Sequence, residues 1–450
     1  MTGFKQFLIV LLGALTAAAA HGQAARNGDS FAITHVTVVD TEGTQDRREV
    51  TVVVRDSRIQ SIEPAANVLP VGVREVDGRG KFLLPGLWDM HVHLSWVTDS
   101  ALPVLVANGV TGVRDLGSDL DEIDEWRAKI DAGIVVGPRI VRVGPILNGQ
   151  SFNKYQIATG GPDQARGIVR ALTQVGVDYI KVHRRVPRDD YFAIVDEAKK
   201  QGLRVVGHIP ITVTPEEASD AGQLIEHTET LFEGTFFAAL SSMNEMPGAI
   251  ARFRGNTATE LFARFVRNKT PVTPTLGAWR YLLDYPGTSF LADPRMRYVA
   301  RSQRDAAAAA TQFSAEQLAT LRLTYAEWQK TVDQMARSGV VLLAGTDVAA
   351  ARIPGFMLHE ELVALVAAGL TQREALRTAT SNPAKILNRD ADLGTVAPGK
   401  LADLLLLDAD PLQDIHNTQR IAAVVVNGRL FDRAALDSLL RLGEEAASHN

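Results

Sequence analysis

The sequence predicts an α/β protein, a (β/α)8 TIM-type barrel joined to a small β-sandwich domain assembled from both ends of the chain. Three observations carry that prediction. Within residues 86–394, short apolar strands alternate with helical stretches eight times over a stretch of roughly 250 residues, as such a barrel requires. The segments before and after, 23–85 and 395–450, share a β-rich texture of their own. No G-x-G-x-x-G follows the first strand of the middle, which counts against the open doubly wound sheet, the main competing layout. A chain of 450 residues suits one large unit plus a smaller one.

Residues 1–22 combine Lys5, an apolar run and a small-residue stretch ending in "AHG". This reads as a secretory signal peptide cut before Gln23, so the mature protein is expected to be exported, periplasmic or secreted. The competing reading is an uncleaved anchor, for which the apolar run falls short of the ~20 residues that span a bilayer. "FAITHVTVVD" and "REVTVVVRDSRIQSIEP" then alternate apolar and polar residues between turn-rich breaks, as half-buried strands do. At the far end "KLADLLLLDAD" is a short strand, and "IAAVVVNGRLF" is a hairpin whose Asn427-Gly428 suits a type I′ turn.

In the middle, strands are expected at "WDMHVHL", "GVTGVRDLG", "PRIVRVGPIL", "VDYIKVH", "RVVGHI", "QLIEHT", "PVTPTL" and "VVLLAGTDV". Helices such as "DQARGIVRALTQVG" and "RDDYFAIVDEAKKQG" separate them. Thr214, Pro215 and Glu217 form a capping box with proline at the first helical position, and Thr371 with Glu374 repeats the box. Two long connections, His227 to Pro271 and Gly277 to Ser338, interrupt the rhythm; insertions after barrel strands commonly cover a site.

Composition narrows the chemistry. A formal net charge of −5 argues against nucleic acid as partner, and 46% hydrophobic content is ordinary for a globular protein. A small-molecule substrate is expected, with no membrane contact once the leader is removed; self-association as a homo-oligomer stays open. The chain has no cysteine, which excludes disulfides, thiolate metal sites and a cysteine nucleophile. Any metal must rest on histidine, carboxylate or an unusual ligand.

His91 and His93, one residue apart on the first strand, point the same way because strand side chains alternate faces. Alone the pair is weak. But of ten histidines His183, His208 and His227 also fall at strand C-termini, where barrel active sites form. Asp347 ends the eighth strand behind an apolar run, and Lys181 ends the fourth. Either charge is costly to bury without a partner or a cation. Hydrogen-bonded core histidines, a capping aspartate and a snorkelling lysine are the alternatives position by position; all of them at one set of strand ends is hard to ascribe to chance. His183, Tyr155 and Arg114 are candidate substrate contacts, and Arg184 and Arg185 candidate receptors for a substrate carboxylate. His359 reads as a packing or capping residue, and His21, His35, His416 and His449 are assigned no chemistry.

"DMHVH" on the first strand, a lone lysine on the fourth, single histidines on the fifth and sixth and "GTD" on the eighth resemble the metal-dependent amidohydrolase superfamily. The closing "SNPAKIL … LGTVAPGKLADLLLLD" extends the likeness over nearly the whole mature chain. Members similar to imidazolonepropionases and prolidases keep the strand-four lysine. The resemblance implies two divalent metal ions, with Zn2+ suited to the ligands and Mn2+, Co2+ or Ni2+ compatible. One ion would take His91, His93 and Asp347, the other His208 and His227, with Lys181, carboxylated on its amine by CO2, bridging both. It further implies hydrolysis of an amide or peptide-like carbon–nitrogen bond by a metal-bridging hydroxide, with Asp347 as the catalytic proton carrier. A lactonase, esterase or phosphotriesterase on the same core, a one-metal deaminase, and a non-catalytic relative kept for binding are the rival readings.

Overall fold

The computed structural model describes residues 30–449 except 44, 66–68, 70, 235–239, 311–312 and 350. The expected leader, residues 1–22, lies outside the described residues, and no helix among the described ones is long and apolar enough to cross a membrane.

Strands β1 (Phe31–Val38), β2 (Arg47–Arg55), β3 (Arg58–Pro64), β4 (Arg74–Asp77) and β5 (Phe82–Pro85) open the chain. Nine strands follow in the middle: β6 (Leu87–Val92), β7 (Val110–Asp115), β8 (Arg139–Arg142), β9 (Ile146–Asn148), β10 (Gln156–Ala158), β11 (Tyr179–Val182), β12 (Arg204–Gly207), β13 (Leu224–Glu226) and β14 (Val272–Thr273). The chain closes with β15 (Leu404–Leu407), β16 (Ile421–Val426) and β17 (Arg429–Asp432).

The terminal strands form one hydrogen-bonded sheet in the order β17-β16-β15-β5-β1-β2-β3, with β4 also on β1. The composite of both termini is therefore present. The expected sandwich of two sheets is corrected to a single forked sheet. The fork sits in β1, whose register shifts between Ile33 and Val36 around His35 at φ 53°, so one edge serves β4 first and β5 next. Phe31, Ile33, Val52, Leu83, Leu404 and Val425 fill its core. Asn427 and Gly428 both take positive φ, as a type I′ turn requires.

The middle is an α/β assembly of parallel pairs. β6, β7 and β8 run side by side, as do β9, β11, β12, β13 and β14, with β10 outside β9. β8 and β9 are two halves of the expected third strand, parted at Gly144-Pro145, where proline offers no N–H to a ladder. The expected eighth strand, "VVLLAGTDV", is corrected to an extended segment with isolated bridges at Leu342 to Val272 and Val348 to Val92. Leu343 N donates to Val272 O (3.0 Å), Met90 N to Ala344 O (2.9 Å) and Asp347 N to His91 O (2.8 Å), so this segment ties β14 to β6. The segment thus joins an edge of the six-stranded sheet to an edge of the three-stranded one.

Alternation along the strands separates two environments. Ile180, Val182, Val205 and Ile225 pack towards the helices, whereas Tyr179, Val206 and Leu224 belong to a separate inner cluster. Lys181, His208 and Glu226 continue that inner face, two residues on in each strand. Both predicted capping boxes, Thr214 with Glu217 and Thr371 with Glu374, are formed.

His359 is a structural residue, fully buried in the helix Phe356–Ala368, with Nδ1 2.9 Å from Thr418 Oγ1 and Nε2 3.1 Å from Asn108 O. Burial pushes its pKa from 6.5 down to about 4. Between those values the unfolded chain takes up a proton that the native ring refuses. The stabilisation is therefore complete above pH 6.5 and lost as the pH falls towards 4, in all about 3 kcal/mol. Urea unfolding of His359→Gln at pH 7 and pH 4.5 is expected to show a smaller loss on acidification than the parent protein; equal losses would remove His359 as a source of acid lability.

Candidate metal centre

Five imidazoles line the inner face at the C-terminal strand ends as one continuous row. Ring centroids are 5.3 Å apart for His93 and His91, 4.7 Å for His91 and His227, 4.4 Å for His227 and His208, and 4.3 Å for His208 and His183. Asp347 Oδ1 lies 3.4 Å from His91 Nε2 and 3.3 Å from His93 Nε2. Among the described residues His91, His93 and Asp347 form the one group whose donor atoms all fall within 4.8 Å of one another, the spacing a single cation spans.

The local backbone is bent to produce this. His227 (φ 70°), Thr275 (φ 53°) and Asp347 (φ 51°) are non-glycine residues in the left-handed region, a cost that folded proteins concentrate at functional sites. Asp89, two residues before His91, holds the Asp347 segment in place: its carboxylate accepts from Thr346 N (3.0 Å) and Thr346 Oγ1 (2.7 Å). Two glycines give the strands room. A Cβ on Gly345 would fall 2.8 Å from His91 Cβ, and one on Gly207 would collide with the Val182 carbonyl and reach 3.1 Å from Lys181 Cδ.

The histidines are held in the state a metal needs. His91 Nδ1 is 2.8 Å from Glu226 Oε2, His93 Nδ1 is 3.3 Å from Gly117 O, and His227 Nδ1 is 2.9 Å from Thr275 Oγ1. In each case Nδ1 is engaged; His91 Nε2 has no hydrogen-bond partner, and His93 Nε2 faces Asp347. His208 differs, with Nδ1 buried and unbonded. Burial first, and then the charge of Lys181, holds His91 well below its ordinary pKa; burial and the neighbouring imidazoles do the same to His208 and His227. Neutral rings keep a lone pair for a cation.

Lys181 is buried with Nζ unbonded, and burial pushes its pKa down to about 8 although Glu226 and Asp347 pull the other way. Desolvation alone would raise Asp347, but Arg352, His93 and the other rings prevail and hold it well below the usual carboxylate range. Unbonded buried atoms at His91 Nε2, His208 Nδ1 and Lys181 Nζ, each an ordinary cost of ~1–3 kcal/mol, fit residues that close around a metal rather than one another.

The expected substrate contacts separate. His183 extends the row of rings towards solvent and is half-buried. Tyr155 stacks on Trp96 at 5.3 Å, Trp96 packs on His93 at the same distance, and the Tyr155 hydroxyl donates to Ser95 O (2.9 Å). Arg114 is corrected: it has no accessible surface, and its guanidinium is committed to Met90 O (2.9 Å) and Glu226 Oε1 (2.5 Å) deep in the inner face. Arg184 is engaged by Glu233 at 2.7 Å, and Arg185 lies over the exposed ring of Phe152.

Comparison with known proteins bears on this geometry. The Amidohydrolase family matches residues 297–431. An imidazolonepropionase from Rubrobacter xylanophilus is 25% identical over 429 residues, spanning 84% of this chain and 90% of that enzyme. A solved candidate prolidase from Bifidobacterium longum superposes with a TM-score of 0.68 at 28% identity, over 93% of this chain and all of that one. Together these likenesses support the amidohydrolase superfamily for this chain. The bottromycin amidohydrolase shares the fold at a TM-score of 0.76 and 24% identity, over 93% of this chain and 90% of that one. An N-acetylglucosamine-6-phosphate deacetylase from Lysinibacillus sphaericus is 38% identical, but the match covers only 30% of that enzyme.

Three side chains of this site escaped sequence reasoning. Glu226 precedes His227 and by alternation should face away from it. Arg352 Nη1 contacts Asp347 Oδ2 at 2.8 Å from a loop with no motif. Trp96 stands three residues after His93, on the turn Leu94–Val97, and helical spacing there was a signal that could have found it.

Proposed function

We propose that this chain, a hydrolase acting on carbon–nitrogen bonds, is a binuclear metal-dependent amidohydrolase that cleaves an amide or peptide-like bond of a small molecule. The observation that carries the reading is the convergence of His91, His93 and Asp347 on one point, continued by the rings of His227 and His208. We read the two parallel sheets, joined through the segment that ends at Asp347, as a (β/α)8 barrel, residues 86–394, and the forked terminal sheet, 23–85 with 395–450, as its companion domain.

His91, His93 and Asp347 would hold one cation, His208 and His227 the other, with Lys181 shared. Lys181 fits that role as a carbamate. At a pKa of about 8 it has an appreciable unprotonated fraction near neutral pH. That amine adds to CO2, forming an N–C bond and releasing one proton, and so exchanges a donor-only group for a two-oxygen anion. When bound, the cations supply Lewis acidity, activating water near neutral pH and polarising the scissile carbonyl; histidine and oxygen ligands suit Zn2+.

The chain's own residues do the rest. Asp347 directs Oδ1 at the histidines, and its Oδ2, which now accepts from Arg352 Nη1 at 2.8 Å, would take the proton of the attacking water and pass it to the leaving nitrogen. His183 and the Trp96–Tyr155 pair form the rim against which the substrate rests. A dipeptide or N-acyl amino acid is the favoured substrate class, supported by the likeness to solved proteins described as a candidate prolidase and an Xaa-Pro dipeptidase. The apolar leader supports export to the periplasm or beyond.

The test is to strip the mature protein with chelator, reload it with Zn2+ and bicarbonate, and count metals while screening dipeptides, N-acyl amino acids, lactones and phosphotriesters. About two ions per chain and highest kcat/KM on a carbon–nitrogen substrate are expected. Preference for a lactone or phosphotriester would overturn the bond assignment, and no metal uptake the binuclear site.

A further inference from the structure

We propose that Glu226 is a positioning residue that sets which nitrogen of His91 faces the metal, and that Arg114 holds Glu226 in place to do so; this rests on the metal reading above. Neither side chain reaches solvent. Their bonds form a closed loop on β6. Arg114 Nε donates to Met90 O (2.9 Å), its Nη2 donates to Glu226 Oε1 (2.5 Å), and Glu226 Oε2 meets His91 Nδ1 at 2.8 Å. The loop leaves β6 at one residue and returns at the next.

The consequence follows from donor chemistry. A carboxylate paired with a guanidinium only accepts, so His91 Nδ1 must carry the proton, and Nε2 is left with its lone pair. That lone pair has no hydrogen-bond partner in the protein and lies 3.4 Å from Asp347 Oδ1, another acceptor. Two acceptors facing each other at that distance are reconciled by a cation between them. Glu226 thus imposes a tautomer that is unfavourable for the empty pocket and right for the filled one. Carboxylate partners of metal-bound histidines act in this way, and their loss commonly costs about 10–100-fold in metal affinity.

Glu226→Gln tests this with little change of shape. The amide oxygen stays on Arg114 and its NH2 turns to His91. Nδ1 must then accept, and the ring proton moves to Nε2, the ligand atom. Equilibrium dialysis against graded chelator is expected to show about 10–100-fold weaker binding of one of two Zn2+ ions, with the other retained. The Co2+-loaded variant should lose part of its visible absorption, while far-UV circular dichroism stays unchanged. If that variant fails to fold, Arg114→Met with Glu226→Met removes both buried charges together, which proteins tolerate better than a lone charge, and the same weakening is expected.

A purely structural Glu226 would lower Tm and leave Zn2+ affinity at the parent value in whichever variant folds; that result overturns the positioning role alone. A parent protein that binds no Zn2+ or Co2+ overturns the metal reading, and this proposal with it.

Discussion

Asp347→Asn is expected to reduce kcat by about 10^2–10^4-fold at saturating metal, with KM changed far less. The substitution isolates the proton-carrying role because so much else survives it. Asparagine is among the few residues that accept a positive φ, and Asp347 sits at 51°. The amide oxygen can take the place of Oδ1 and still face His91 and His93, while the NH2 at the place of Oδ2 gives up only the 2.8 Å contact from Arg352. What disappears is an oxygen able to take a proton and give it back. Asp347→Ala would confound that loss with backbone strain and a missing ligand. Steady-state kinetics with metal analysis of the same samples is the check. Asp347→Asn turning over within twofold of the parent, with the same metal content, would take Asp347 out of the proton path.

The sequence made the strand ends legible and the bends between them illegible. His91 and His93 do share a face, and Lys181 lies buried on the inner side, because period-two alternation holds along β6 and β11. The same rule fails at β13. Alternation puts Glu226 and His227 on opposite faces, yet both meet His91: Glu226 at 2.8 Å, His227 with its ring centroid at 4.7 Å. The φ of 70° at His227 swings the chain so that successive side chains converge, and nothing in "LIEHT" announces it. Arg114 was misread for a related reason. It does stand near the end of β7, but a long side chain there can run inwards to a buried carboxylate as readily as outwards to a ligand, and only the position of Glu226 decides.

Irregular strands were legible in part. Pro271 and Pro274 bracket β14 and explain why it spans only Val272–Thr273. The Gly144-Pro145 pair likewise marked the break between β8 and β9. "LLAGTDV" looked like a strand by composition. Its hydrogen bonds instead alternate irregularly between β14 and β6, with Thr346 held by Asp89 across the gap. An acidic residue two positions before His91 reads as nothing in particular until the segment it pins is seen.

Lys181→Met is expected to move metal affinity and unliganded stability in opposite directions. In the metal-free protein Lys181 Nζ is buried and has no hydrogen-bond partner, and burial already pushes its pKa down to about 8. A methionine of similar length removes that penalty, worth ~1–3 kcal/mol, so Tm in chelator should rise by about 2 °C for a chain of this size. The variant has no amine to take up CO2, and with the shared ligand gone Zn2+ binding should weaken by at least ~100-fold. Adding Zn2+ and bicarbonate would then raise the Tm of the parent and leave that of the variant nearly unchanged, since a ligand stabilises only the state it binds. A lysine that merely threads its stem through the core towards solvent predicts the reverse, with stability lost in chelator and metal binding intact. Calorimetry in chelator and in Zn2+ with bicarbonate, on both proteins, separates the two. A Lys181→Met protein that retains two tightly bound ions would show that the site closes without its fourth-strand ligand, and the carbamate would have to be abandoned.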